Sequence, residues 1–418
     1  MTLQYKPDTI TAMIDPASSP DVGPANRPRR PFYGWWILVV CCLLAVLGGA
    51  ATYNSALFVV PMRDDLDFRA GSAAIIFLYA TAFAAVAGLL VGWLADRFGA
   101  RPLVLFGGFA AAGGLLLASP ANSHWHFLVT FAIAFAGATV GFSMITLLST
   151  VNRWFIRRRP VAMATLLTMF SLGPACVPLL VAWGMSGVGW RNTLLGLGVF
   201  LCILTVVACL VLRNRPEDMS LQPDGDASPP SIPEFRVRDA LRTGPFWAMV
   251  LGGVVLNDST QSAVEAFSPI LTAVMAALAI LLTFVLGVTA VWIPPRKILS
   301  GVFIAGAMGH LAWLVLNNEV GTVGFLSGNA LVQGGSAVYW IMAGDYFGRQ
   351  RFASLMGVLI FFRAVGSIIP GIIGALLDQM GYREFSLVFY ILFYVAVALI
   401  IWASTRPLRL LPAANLAE

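Results

Sequence analysis

Residues 92–101 read Gly92-Trp93-Leu94-Ala95-Asp96-Arg97-Phe98-Gly99-Ala100-Arg101. An apolar segment precedes this stretch at roughly 73–95, and another follows at roughly 103–119, each of about the length a helix needs to cross a bilayer. A short charged turn between two such segments reads as the loop joining two membrane crossings. Gly92 and Gly99 permit close helix contact and a tight turn. Asp96 has two natural partners, a nearby arginine or the N-terminus of a helix. Such a pairing would hold one end of a helical bundle shut in one state and release it in another. The competing reading is an ordinary charged turn.

Working outward, the rest of the chain has the same character. Of 418 residues, 59% are hydrophobic and 11% charged; soluble chains carry about 25% charged residues. A soluble fold of this length has too little interior for so much apolar surface. In lipid, backbone groups must pair internally, so the crossings are helices or a closed barrel. Barrel strands alternate apolar and polar residues over about ten positions. Here the apolar runs are continuous and of helix length. Twelve can be placed, at roughly 35–60, 73–95, 103–119, 125–152, 160–185, 190–212, 246–268, 271–293, 298–316, 321–343, 352–377 and 384–404. Little more than Pro269 separates the seventh from the eighth.

The expected architecture is an all-α membrane protein of twelve helices in two six-helix bundles, at 33–212 and 245–404. The Pro-rich stretch 213–244 is the linker. Residues 1–32 are polar and Pro-rich and read as a disordered tail without a cleavable signal peptide. Residues 405–418 form a second tail. With both termini inside, the inner loops hold Arg97, Arg101, Arg153, Arg157, Arg158, Arg159, Arg296, Lys297, Arg349 and Arg351, while the outer loops hold Arg63, Arg69, Arg191 and Arg383. That asymmetry predicts cytoplasmic termini in a cell membrane. It also accounts for the net charge of +6 without a nucleic-acid partner. Cys41, Cys42, Cys176, Cys202 and Cys209 all fall in predicted spans, with neither metal nor redox spacing.

The chain echoes itself. Trp154-Phe155-Ile156-Arg157-Arg158-Arg159 precedes the fifth span, and Tyr346-Phe347-Gly348-Arg349-Gln350-Arg351 precedes the eleventh. The two lie at the same position in each half, the trace of a parallel repeat.

The 92–101 stretch resembles the signature loop of the major facilitator superfamily, Gly-x-Leu-x-Asp-Arg-x-Gly-x-basic. The resemblance implies a gating role for Gly92, Asp96, Arg97, Gly99 and Arg101. Further residues resemble the branch of bacterial monocarboxylate transporters and oxalate/formate antiporters. They are Tyr33-Gly34-Trp35-Trp36, Gly189-Trp190-Arg191, Arg215-Pro216-Glu217-Asp218-Met219, Asp345-Tyr346-Phe347-Gly348, and Asp378 with Gly381-Tyr382. The likeness runs from about residue 33 to 404. Two departures stand out. The second-half counterpart of the signature loop reads Trp292-Ile293-Pro294-Pro295-Arg296-Lys297, without Gly-x-Leu-x-Asp, and the loop at Pro269 is shorter than in the branch.

An ionisable residue at mid-membrane costs roughly 2.5–3.5 kcal/mol on insertion scales and usually faces a water-filled cavity. Arg363, central in the eleventh span, is the clearest case. Its guanidinium suits a carboxylate through two parallel bonds; the alternatives are a structural ion pair or a snorkelling side chain. The antiporters carry a cation at what looks like this position. The eighth span holds no second cation, which favours a monocarboxylate over a dicarboxylate. In the seventh span Asp258, Gln261 and Glu265 share a helical face. Burial would raise the Asp258 pKa toward neutrality, making Asp258, with Glu265, a candidate for proton coupling. Asp258 reads equally as the resting counter-ion of Arg363, or as part of a hydrated mouth. Tyr53, Asn54 and Gln333 are further candidates for the substrate cavity. Ser143, Thr146, Asn329 and Tyr339 are polar too, though such residues more often bond helix to helix.

His124 and His126 lack a third ligand, so no metal site is expected. No phosphate-binding loop or nucleophile–base pair is present, so neither ATP drive, a cofactor nor an enzymatic reaction is expected. The expected function is secondary active transport of a small organic anion by alternating access, coupled to protons, by a monomer in the bilayer. An efflux carrier for lipophilic or neutral compounds, and a transporter-like nutrient sensor, are the alternatives.

Overall fold

A computed structural model describes residues 32–53, 86–225, 235–266, 269–316, 318–379 and 383–405. All regular structure among them is helical. The first half comprises α1 (Gly34–Tyr53), α2 (86–98), α3 (Ala100–Ala118), α4 (His124–Gly141), α5 (Met144–Trp154) and α6 (Arg159–Val211). The second comprises α7 (Gly244–Ala266), α8 (Pro269–Thr289), α9 (Pro295–Leu316), α10 (Glu319–Gly334), α11 (Ser336–Phe347), α12 (Phe352–Gln379) and α13 (Arg383–Ala403).

These elements map onto the twelve predicted spans. Among the described residues, eight helical runs are long and apolar enough to cross a membrane, and one of them, 159–211, has 53 residues. At about 1.5 Å per residue it reaches roughly 80 Å, more than twice a hydrocarbon core of about 30 Å. Gly189, at φ 79° and ψ 163°, breaks it into two crossings. A side chain at that φ is strained, so glycine makes the turn. The second span is described only over α2, the seventh is α7, and the tenth is split between α10 and α11. The seventh, weakly divided from the eighth in the sequence, is described to Ala266, and α8 begins with Pro269 at its first position, where its missing N–H costs nothing.

Local chemistry sets the ends. Ser123 accepts the His126 amide at 3.3 Å, capping α4, and Asn318 accepts the Gly321 amide at 3.0 Å, capping α10. The fourth and tenth spans are both broken midway. In the fourth, Ser143 caps a new helix by accepting the Thr146 amide at 3.2 Å, while the Thr146 hydroxyl donates to the Val140 carbonyl at 2.9 Å. Both side chains thus satisfy backbone groups that the break would orphan. In the tenth, Gly335 interrupts the helix and Ser336 restarts it. Met144 and Ser336 stand in the same register to the echo loops that follow.

Other contacts repeat as well. Trp154 Nε1 donates to the Arg213 carbonyl at 3.2 Å, just past the sixth span, and the Tyr346 hydroxyl donates to the Ser404 carbonyl at 3.2 Å, just past the twelfth. Close backbone packing through Gly107 and Gly137 joins α3 to α4, and Gly309 and Gly328 join α9 to α10. The chain is therefore a duplicated pair of six-helix bundles. Large apolar side chains such as Phe106, Leu179, Trp183, Ile203, Val315 and Ile369 are exposed around it, the surface that lipid covers.

Candidate functional site

The two halves meet through a polar latch at the end of the bundle that carries the 92–101 turn. Asp96 sits at the end of α2. Its carboxylate accepts the Ser354 amide at 2.7 Å and the Ala353 amide at 3.3 Å, both in the first turn of α12, and pairs with Arg153 at 3.0 Å. The side chains of the pair are 11% and 9% exposed. Two of the orphan N–H groups of α12 therefore meet a negative charge, and the helix dipole adds to the attraction. Burial pushes the Asp96 carboxyl above its ordinary pKa, while Ser354, Arg153 and the Ala353 amide pull the other way. Arg153 also donates to the Ala95 carbonyl at 3.3 Å, and Arg349 donates to the Arg153 carbonyl at 3.4 Å.

A second tie lies beside the first. Arg159, 1% exposed, pairs with Asp345 at 3.0 Å. The Asn152 amide donates to the Gly348 carbonyl at 3.3 Å, and a Cβ on Gly344 would lie 3.0 Å from Asn152 Oδ1. The two echo loops thus face each other directly. Gly92 lets α2 approach α12, since a Cβ there would lie 2.5 Å from the Ala353 carbonyl oxygen. Gly99, at φ 83°, packs on Asn214, which accepts the Arg101 amide at 2.9 Å and donates to the Phe98 carbonyl at 3.3 Å. The latch closes this end.

Midway along α12, half-buried Arg363 lies against α7 and α11. A Cβ on Gly253 would fall 2.7 Å from Arg363 Cδ and 3.0 Å from the Tyr339 hydroxyl oxygen. That hydroxyl is buried and has no hydrogen-bond partner among the described residues. Four residues further along each helix, Asn257 donates to the Ser367 hydroxyl at 3.1 Å; between these two levels, Val254 packs on Gly366. The Arg153–Asp96 and Arg159–Asp345 pairs do not involve Arg363. A guanidinium and a buried hydroxyl with no partner among the described residues therefore flank Gly253, an arrangement suited to an anion.

A family model described as Major Facilitator Superfamily matches residues 39–369. The chain belongs to the Major Facilitator Superfamily. Over 238 residues it is 29% identical to monocarboxylate transporter 13 of Bos taurus, covering 56% of this chain and 53% of that one. Over 170 residues it is 29% identical to the fujikurins efflux protein of Gibberella fujikuroi, covering 40% and 34%. The matched stretches thus span about a third to a half of those relatives. Among solved structures, the fucose:proton symporter of E. coli superposes with a TM-score of 0.63 at 16% identity, covering 90% of this chain and all of the other. That likeness speaks to fold alone.

Of the residues singled out in the sequence, Gly92, Asp96 and Gly99 are brought to the junction or its supporting turn. Arg97 instead lies over Trp93 at 5.1 Å and Phe98 at 5.5 Å, and Arg101 reaches Asn214 through its backbone amide. Gln333 stands one residue before the end of α10, its side-chain nitrogen buried without a partner among the described residues. Tyr53 ends α1 and Asp258 and Glu265 lie on α7, with side chains outside the described residues. Asn54 lies wholly outside them. Arg153 and Arg159, read in the sequence as loop charges, and Asp345, read there as part of the branch resemblance, meet at the latch. The sequence signals for them were that resemblance for Asp345 and, for the loops, the echo, which puts them at matching positions in the two halves.

Proposed function

We propose that this chain is a secondary transporter that moves a small monocarboxylate by alternating access, with proton coupling. The observation that carries this reading is Arg363 beside the buried Tyr339 hydroxyl, with Gly253 leaving space for both. A carboxylate bound there would take two bonds from the guanidinium and one from the phenol. The monocarboxylate transporters among the relatives support that substrate class. The latched end is the cytoplasmic one on the charge asymmetry of the loops. Opening it would require Asp96 to leave the first turn of α12, and that is the step by which the halves would rock.

Asp258 is the proposed proton carrier. It follows Val254 by one helical turn, and Val254 packs on Gly366, so position 258 continues the stripe of α7 that meets α12. Tyr53, Asn54, Gln333 and Glu265 complete the proposed set. Thermal-shift titration of the purified protein with small carboxylates tests the anchor: the wild type is stabilised, and Arg363→Ala is not. Equal stabilisation of both proteins would reject Arg363.

The fujikurins efflux protein favours a second reading, export of lipophilic compounds. A crevice of about 110 Å³ in the first half, lined by apolar side chains including Leu47, Ala111, Phe131, Ala138 and Val181, suits such a compound. Under that reading Arg363→Ala would leave export intact.

A further inference from the structure

At the latched end lies an open cavity of about 600 Å³ whose walls come from three parts of the chain. The first half supplies Trp93, Arg97 and the Asp96–Arg153 pair, the second half supplies Arg349 and Arg351, and the start of the linker supplies Arg215 and Asp218. Five arginines face three carboxylates there. The carboxylates are not equally available. Asp96 is held by Arg153 and by two amides of α12. Asp218 accepts the Arg215 amide at 3.2 Å. With Arg153 and Asp96 neutralising each other, Arg97, Arg215 and Arg351 face Glu217 and Asp218, and the cavity carries an excess of guanidinium groups.

We infer that this cavity is a binding site for a soluble multivalent anion of the phosphate-ester class, and that its occupant locks the latched state. Guanidinium groups pair with phosphate oxygens in bidentate fashion. The volume lies within the roughly 300–1,000 Å³ of small-molecule sites. The linker wall belongs to neither bundle, which favours a soluble ligand over a phospholipid headgroup entering between helices. Because both halves line it, the site exists only while they are latched. A ligand bound there shifts the population toward that state and slows transport. The site is distinct from Arg363, so it stands whatever solute the protein carries.

The full-length protein in phosphatidylcholine nanodiscs tests this by isothermal titration with inorganic pyrophosphate. Saturable binding is expected in the wild type, at least tenfold weaker in the Arg215→Gln/Arg351→Gln double variant, and unchanged in Arg242→Gln, an exposed linker arginine outside the cavity. In proteoliposomes, pyrophosphate on the latched side slows solute uptake by the wild type and spares the double variant. Absence of saturable binding overturns the assignment. So does an equal loss in Arg242→Gln, which would mean diffuse attraction. Displacement of pyrophosphate by phosphatidylglycerol in the nanodisc would make the headgroup the occupant and overturn the soluble ligand.

Discussion

Asp96 and Ser354 stand 258 positions apart in sequence, yet the carboxylate of one accepts the backbone amide of the other at 2.7 Å. This bond joins the signature turn of the first half to the first turn of α12, the helix that carries Arg363. The helix held by this bond therefore also carries the candidate substrate anchor.

The Asp96–Arg153 pair predicts a specific non-additivity. Removing one member of a buried pair costs about 3–5 kcal/mol, because the other charge stays behind unpaired. Asp96→Asn and Arg153→Gln should each lower the thermal midpoint and widen spin-label distances across the latched end. The double variant should lose less than the sum of the two. Strict additivity would mean that the pair is not coupled.

The second pair predicts an asymmetry. Arg159 is 1% exposed and Asp345 is 26% exposed. Asp345→Asn strands a buried cation, whereas Arg159→Gln leaves a carboxylate that water can reach. The first substitution should therefore destabilise more than the second, by about 1–2 kcal/mol given the usual cost of uncompensated burial. Chemical denaturation of the two variants in the same detergent checks the order.

Gly92 predicts a steric gate defect. A methyl at this position lies 2.5 Å from the Ala353 carbonyl oxygen, so backbone must move and α2 must part from α12. Gly92→Val should fold, reach the membrane, and transport at least tenfold more slowly, with the latched end more open to thiol labelling. Wild-type rates would contradict the close contact.

Gly253 predicts a substrate-affinity effect. Gly253→Ala puts a methyl 2.7 Å from Arg363 Cδ, which displaces the guanidinium without removing its charge. KM for the carried anion should rise about tenfold, with a smaller change in kcat, as for a loss of binding shared by ground and transition states. Steady-state uptake over a range of substrate concentrations separates the two.

Much of this architecture was legible in the sequence because bilayer physics is coarse. Continuous apolar runs of fixed length locate helices, and the turn at Gly189 and the parting at Pro269 follow from residues with known backbone limits. The partner of Asp96 was legible only as a type, an arginine or a helix N-terminus. Both are present, and their identities, Arg153 and α12, depend on how distant spans pack. Arg159 was hidden for the same reason, since a basic loop reads as topology until its opposite loop is placed against it, and Asp345 was marked only by the family resemblance, without its partner. The breaks at Ser143 and Gly335 leave no trace in hydropathy, which is continuous across them. Tyr339 was marked only as one of several polar residues in the spans. Its place beside Arg363, with a hydroxyl that has no partner among the described residues, is a three-dimensional fact.

The anchoring of an anionic solute by Arg363 is read from uptake of radiolabelled small monocarboxylates into proteoliposomes. Wild type, Arg363→Ala and Arg363→Lys should be reconstituted at equal density. Uptake should be robust in the wild type, at least a hundredfold lower in the alanine variant, and partly recovered in the lysine variant, which keeps the charge but not the fork. Uptake by Arg363→Ala at the wild-type rate would contradict that anchoring.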